Sequence, residues 1–291
     1  MSADLVARLQ ALESEPLERR VEALVALTAD TDAATVAGSE SGAQLRDALL
    51  AVVEANVGTG RERLALGEFL GELGDPRLRT PADEDYWVRI ATDMGDEIVI
   101  GRYPVTNAEY RAWVDAGGYQ DRSAWSDEGW EWLQDEAEGG WPTKAAADDS
   151  GPYIVANQPV VGVTFHEAEA FATAHKARLP RTDERVWVVR GEERRPYPWG
   201  SPFGEGRANT REEVLNRPCA VGLFLGDRTP DGVCDLAGNV AEWTGDDMGG
   251  DRVIHPGAWD QPSMASWAKA LALKAPESRW AGLGFRLARD A

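Results

Sequence analysis

Asp235-Leu236-Ala237-Gly238-Asn239-Val240-Ala241-Glu242-Trp243, together with the closing Gly284-Phe285-Arg286, is the stretch whose reading decides the fold. The carboxylates of Asp235 and Glu242 bracket a Gly-Asn turn able to present backbone carbonyls, and Trp243 follows as a bulky anchor. On both sides, from about Thr80 to the end of the chain, Gly, Pro and Trp abound and long periodic runs are few. That texture predicts an irregular α+β domain held by aromatic anchors in place of long regular elements.

Short elements can be placed around that stretch. Val88 to Ala91 and Glu97 to Ile100 read as strands. Thr106-Asn107-Ala108-Glu109 is a capping box, in which the Thr side chain caps a helix and the Glu three residues on reaches back. Tyr110, Trp113 and Val114 supply the buried stripe of that helix, and Gly117-Gly118 ends it. Thr164-Phe165-His166-Glu167 opens a second helix with Ala168, Phe171 and Ala172 on one face, and a third is expected from Thr182 to Arg190, stopping at Gly191. Residues 1–84 have a different character. Leu5, Leu9 and Leu12, then Val21, Leu24, Val25 and Leu27, then Leu45, Leu49 and Val52 recur at helical spacing among charges. A further pattern from Leu64 stops at Gly74-Asp75-Pro76. The expectation is two domains: a small all-α bundle or repeat fragment over 1–84, and the α+β domain over 85–291.

Thirty Lys plus Arg against 50 Asp plus Glu give a formal charge of −20. Such a surface repels phosphate backbones and anionic lipid, so neither nucleic acid nor a membrane is an expected partner. Solubility is the plain reading of the charge; attraction for cations or basic partners is the other. No apolar run approaches the roughly 20 residues that span a bilayer, and the N-terminus lacks the regions of a signal peptide. Only Cys219 and Cys234 are present, which rules out a disulfide framework and leaves a single bridge open. Cytoplasmic residence is expected.

Seven segments in order resemble the formylglycine-generating enzyme family, the sulfatase-modifying factors. They are Tyr103-Pro104-Val105-Thr106-Asn107-Ala108-Glu109-Tyr110, Pro159-Val160-Val161-Gly162-Val163, Arg178-Leu179-Pro180, Tyr197-Pro198-Trp199-Gly200, Ala208-Asn209-Thr210, and the stretches from Asp235 to Trp243 and from Gly284 to Arg286. The resemblance implies a C-type-lectin-like α+β fold and does not cover residues 1–84. Family members of known chemistry oxidise a cysteine of a sulfatase to formylglycine with copper and oxygen, holding the metal with two cysteines. In this chain the corresponding stretch, Pro256-Gly257-Ala258-Trp259-Asp260-Gln261 continuing to Ser266, puts Gln261 and Ser266 at the cysteine positions. Neither an amide nor a hydroxyl replaces a soft thiolate for Cu(I), so that activity is expected to be absent.

The resemblance also implies a structural calcium site formed by the Asp235 side chain, backbone oxygens of Gly238 and Val240, and the Glu242 carboxylate. Oxygen donors of this kind suit a hard cation; alternatively, Glu242 and Asn239 satisfy backbone donors in a tight loop. No copper or iron is expected. Some relatives of this fold are iron-dependent sulfoxide synthases with a two-His-one-carboxylate type of site, whose ligands lie largely in a separate His-rich helical domain. Residues 1–84 contain no histidine, and His166 and His175 are not at the spacing of a metal pair.

The segment forming the family's substrate-facing surface carries Trp259, Gln261, Ser263, Met264, Ser266, Trp267, Lys269, Arg279 and Trp280, a composition suited to a ligand-binding patch if exposed and to a core if not. Trp125, Trp130, Trp132 and Trp141 cluster in an acidic insertion under the same two readings. The leading expectation is a non-catalytic binding or adaptor protein that recognises a protein or peptide, with the N-terminal helices docking a partner or a second copy. Two alternatives stand beside it. One is the variable ligand-binding protein of a diversity-generating retroelement. The other is a metal-dependent oxidoreductase with a rearranged site using His255, Asp260 or Glu277.

Overall fold

The computed structural model describes residues 2–138 and 153–290; Trp141 lies outside them. The chain opens with α1 (Ser2–Glu13), α2 (Leu17–Ala29), α3 (Ala33–Val36), α4 (Glu40–Ala55) and α5 (Gly60–Leu73). Their apolar stripes meet in a core of Leu24, Leu45, Leu49, Leu66 and Leu70. At the start of α5, Thr59 accepts from the Glu62 amide while the Glu62 carboxylate accepts from the Thr59 amide.

The helical segment packs directly on the α+β domain. A Cβ at Gly71 would lie 2.3 Å from Asn157 Oδ1, so only glycine admits this approach. Asn157 Nδ2 donates to the Gly67 carbonyl (2.9 Å) and to Asp75 (2.8 Å), tying α5 and the turn after it to the second half of the chain. Val53 and Leu64 share a buried cluster with Leu215, Leu223 and Phe224.

That second domain starts with β1 (Trp87–Ala91) and β2 (Glu97–Gly101), then α6 (Asn107–Asp115), α7 (Asp127–Glu138), α8 (Phe165–Ala174) and α9 (Thr182–Arg190). Both expected capping boxes form: Thr106 with Glu109, and Thr164 with Glu167. After a long loop come β3 (Ala241–Met248), β4 (Asp251–His255), β5 (Ala272–Lys274), β6 (Leu283–Phe285) and β7 (Ala288–Arg289). One sheet has the order β1-β2-β7, the other β5-β4-β3-β6.

β3 and β6 run parallel, with Glu242 opposite Gly284 and Trp243 opposite Phe285. The two sequence segments that decide the fold are thus neighbouring strands. Trp243 is fully buried and its indole N–H donates to the Val163 carbonyl at 2.9 Å. Around it, Phe171, Tyr110 and Phe285 pack edge-on or stacked, which fixes the helices against the sheet. Gly284 is required because a Cβ there would sit 2.4 Å from the Val160 carbonyl oxygen. Among the described residues no helix is long and apolar enough to cross a membrane.

Candidate functional site

The loop expected to hold calcium is filled by protein cations. Glu242 is fully buried, and both its oxygens are occupied: Arg185 Nε reaches Oε2 at 2.8 Å, and Arg286 Nη2 reaches Oε1 at 2.6 Å. The same guanidiniums take up the loop's carbonyls, Arg185 donating to Leu236 and Arg286 to Cys234 and Asp235. Asp235 accepts from the Gly222 amide, and the Gly238 carbonyl accepts from the Val240 amide at 2.9 Å. A divalent ion bound by Asp235, Gly238, Val240 and Glu242 would sit against two buried positive charges, so this donor set does not fit calcium. Asn239 Oδ1 accepts from the Cys219 backbone amide, whereas Glu242 accepts from side-chain guanidiniums and not from backbone donors. Asp227 takes part as well, accepting from the amides of Leu236, Ala237 and Gly238.

The carboxyls around this loop are shifted by their surroundings. Burial, then the neighbouring Asp227, pushes Asp235 up to about 7. Burial raises Asp227 to about 6 against the pull of its three amide donors. Glu242 is held below its ordinary range because Arg185 and Arg286 outweigh its burial.

The nine residues expected to bind a ligand do not form one patch. Trp259 and Trp280 come together around Asp260: the Trp280 indole donates to Asp260 Oδ2 at 2.6 Å, and the Trp259 indole donates to the Ala281 carbonyl at 3.0 Å. Tyr153 leans on Trp259 with ring centroids 6.4 Å apart, and the Lys274 ammonium lies 5.8 Å from the Trp280 ring. Gly282 leaves the corner open, since a Cβ there would meet Trp280 Nε1 and Asp260 Oδ1 within 3 Å. Gln261 adjoins Asp260, and the Ser263 amide is held by Glu212.

The others diverge. Met264 and Trp267 project into solvent (77% and 46% exposed), and Lys269 lines a groove with Arg181, Asp246 and Leu271. Ser266 is buried. Arg279 turns inward, donating to the Gly162 carbonyl and pairing with the buried Glu167 at 2.8 Å. The Tyr119 hydroxyl donates to the same carboxylate at 2.6 Å, and Tyr110 continues the chain of hydroxyls. Glu167 is therefore both the cap of α8 and the counter-ion of Arg279, a second role that its position in a capping box gives no hint of. The insertion tryptophans are also divided: Trp125 is buried, and Trp130 and Trp132 are half-buried against the same core.

The histidines are scattered. His166 stacks on Trp132 at 5.3 Å and is lowered by burial; His175 Nδ1 contacts the Phe171 carbonyl. His255, opposite Glu242 on β4, is driven well below the usual imidazole range, first by burial and then by Arg185. Of the residues offered for a rearranged metal site, His255 is buried on β4, Glu277 is exposed and Asp260 accepts from the Trp280 indole. Among the described residues there is no group of three His, Cys, Asp or Glu side chains arranged to hold a metal.

Comparison with known proteins places this geometry. Residues 82–291 match the Sulfatase-modifying factor enzyme 1-like domain family. A hercynine oxygenase of Mycolicibacterium thermoresistibile is 38% identical over 158 residues, covering 50% of this chain and 34% of that protein. The hercynine oxygenase of Mycobacterium tuberculosis is 31% identical over 228 residues, covering 66% and 52%. The chain thus spans a third to a half of the length of these relatives. Treponema denticola variable protein 1 has a similar fold, with a TM-score of 0.52 at 17% identity, covering 70% of this chain and 95% of that one.

These relatives correct three expectations. A non-catalytic adaptor is the wrong class, because the relatives are named as oxygenases. For the same reason the expectation that the chain is not an enzyme is withdrawn. The expectation of no iron falls with it, since the sequence reading had already tied oxygenases of this fold to iron. It had set that class aside for lack of histidines in residues 1–84, which is an argument about where the donors lie and not about the reaction. The α+β domain, with its parallel pairing of the Gly-Asn-Val-Ala-Glu-Trp and Gly-Phe-Arg strands, belongs to the Sulfatase-modifying factor enzyme 1-like family.

Proposed function

We propose that the chain is the substrate-receiving part of an oxygenase-class oxidoreductase acting on a small betaine such as hercynine. The observation that carries this reading is the 38% identity to a hercynine oxygenase over 158 residues. Hercynine is the trimethylated betaine of histidine and so bears a fixed cation. Fixed cations are received by aromatic faces, and a nearby carboxylate adds attraction. Trp259, Trp280 and Tyr153 around Asp260 supply both, on the surface that the sequence singled out.

In this reading a metal would supply oxygen activation when bound, with donors outside the described residues to hold it. What this chain does is bind and orient the betaine. Two free, buried thiols, Cys219 and Cys234, are consistent with work in a reducing cytoplasm.

Calorimetric titration of hercynine into the protein tests the reading. Saturable binding is expected, with histidine, which lacks the methyl groups, binding more weakly. Trp259→Ala or Trp280→Ala should weaken binding by about tenfold or more, from the loss of a cation–π contact worth ~1–2 kcal/mol, whereas the exposed Trp267→Ala should leave it unchanged. Absence of binding at millimolar hercynine by the folded protein would sink the proposal.

A further inference from the structure

A cavity of about 260 Å³ lies where the helical segment meets the α+β domain, away from the Trp259–Trp280 corner. Residues from α4, from the turn after α5, from just before β1 and just after β2, and from the loop before β3 all contribute to its wall. On a chain with a formal charge of −20 its wall gathers four arginines, Arg77, Arg79, Arg102 and Arg228, beside the carboxyl groups of Glu54, Asp85 and Glu109. Two of these charges are already answered, Arg77 by Asp75 and Arg79 by Asp85. The other two are not. Arg102 donates only to the Gly232 carbonyl at 3.2 Å, and among the described residues the Arg228 guanidinium has no hydrogen-bond or ion-pair partner.

These two guanidiniums nevertheless converge. A Cβ built on Gly232 would lie 2.9 Å from Arg102 Nη1 and 3.4 Å from Arg228 Nη2, so both groups close on one point kept clear by a glycine. Like charges brought together without a counter-ion are a cost unless an anion joins them. The Tyr86 hydroxyl, 5% exposed and also in the wall, is turned to the buried Glu109 carboxyl and hydrogen-bonds with it, while Glu109 Oε2 is committed to the Thr106 cap.

We propose that this cavity binds a small oxyanion, with the carboxylate or phosphate group clamped between Arg102 and Arg228. The volume lies just under the roughly 300 Å³ at which pockets begin to take drug-sized molecules, so the ligand is small. Because the wall is drawn from both parts of the chain, the bound anion also fastens the helical segment to the α+β domain.

Thermal unfolding of the protein in potassium phosphate or sodium succinate, against potassium chloride at matched ionic strength, tests this. A ligand that binds only the folded state raises the midpoint in a saturable manner set by its concentration relative to Kd. A rise with phosphate alone identifies a phosphoryl ligand, and a rise with succinate alone a carboxylate. Arg102→Gln/Arg228→Gln should abolish the rise, and Arg8→Gln, which removes the same charge from α1, should leave the rise intact. Circular dichroism establishes that each variant is folded, and the exposed Arg228→Gln alone serves if the double variant is not. No rise with either anion, or an equal rise in all variants, would overturn the proposal.

Discussion

Asp235→Asn should make the protein more stable at alkaline pH and should do so in a pH-dependent manner. Asp235 is fully buried, with a carboxyl pushed up to about 7 by burial and by Asp227. Between the ordinary Asp range, near 4, and about 7, the folded state keeps a proton that the unfolded chain has lost. Unfolding in that window releases a proton, so stability falls as pH rises through it and the full penalty is present above about 7. The displacement corresponds to ~4 kcal/mol in all, of which ~2 kcal/mol accrues between pH 5.5 and 8.

Asparagine removes the ionisation while keeping an oxygen for the Gly222 amide, which Asp235 accepts at 2.7 Å. It also suits the backbone, since Asp235 has φ 56°, in the left-handed region that Asn tolerates well. Urea unfolding of both proteins at pH 5.5 and pH 8 measures the effect. The variant should gain ~2 kcal/mol on the wild type over this interval, the background pH dependence of an acidic chain cancelling in the difference. Parallel stability curves, or a variant weakened equally at both pH values, would show that the carboxyl is ionised without penalty and that the burial argument is wrong.

Two further substitutions probe the frame of the domain. Glu242→Gln strands two buried guanidiniums, Arg185 and Arg286, and should cost ~3–5 kcal/mol in urea unfolding; a loss below 1 kcal/mol would mean that water reaches the cluster. Gly71→Ala drives a methyl against Asn157 and should destabilise by ~1–3 kcal/mol, read as earlier protease cleavage between α5 and β1; unchanged cleavage would mean that the helical segment is not held through Asn157.

How legible this molecule was in its sequence depended on the range of the interaction. The caps at Thr106 and Thr164 could be read because a capping box is complete within four residues, and the box at Thr59 and Glu62 carried the same unused signal. The aromatic corner was half visible: Trp259 and Trp280 were singled out, but their convergence on Asp260 depends on the register of β3 against β6. Arg279 was assigned to the surface, and nothing nearby in sequence announces Glu167, its partner more than a hundred residues away. Ser266, beside the exposed Trp267, is buried for a similar reason: neighbours in a short 3₁₀ turn face opposite ways.

The calcium expectation failed for a physical reason that generalises. A loop whose carbonyls and carboxylates point inward needs positive charge at its centre, and a sequence motif records that need without recording what meets it. Here Arg185 enters from α9 and Arg286 from the strand pairing with β3, and together they make contacts of the kind a dication would make: carbonyls of Cys234, Asp235 and Leu236, and both oxygens of Glu242. A guanidinium differs from an ion in being tethered, so it cannot be lost by dilution or chelation. Its cost is desolvation, visible in Arg185, which burial lowers even with Glu242 beside it. Arg286 offsets that cost by binding Glu242 through two nitrogens, Nε and Nη2, and so fixes β6 against β3. β6 follows directly on the segment bearing Trp280, so the salt bridge between Arg286 and Glu242 lies beside the candidate binding corner, in the loop where the sequence had suggested a metal.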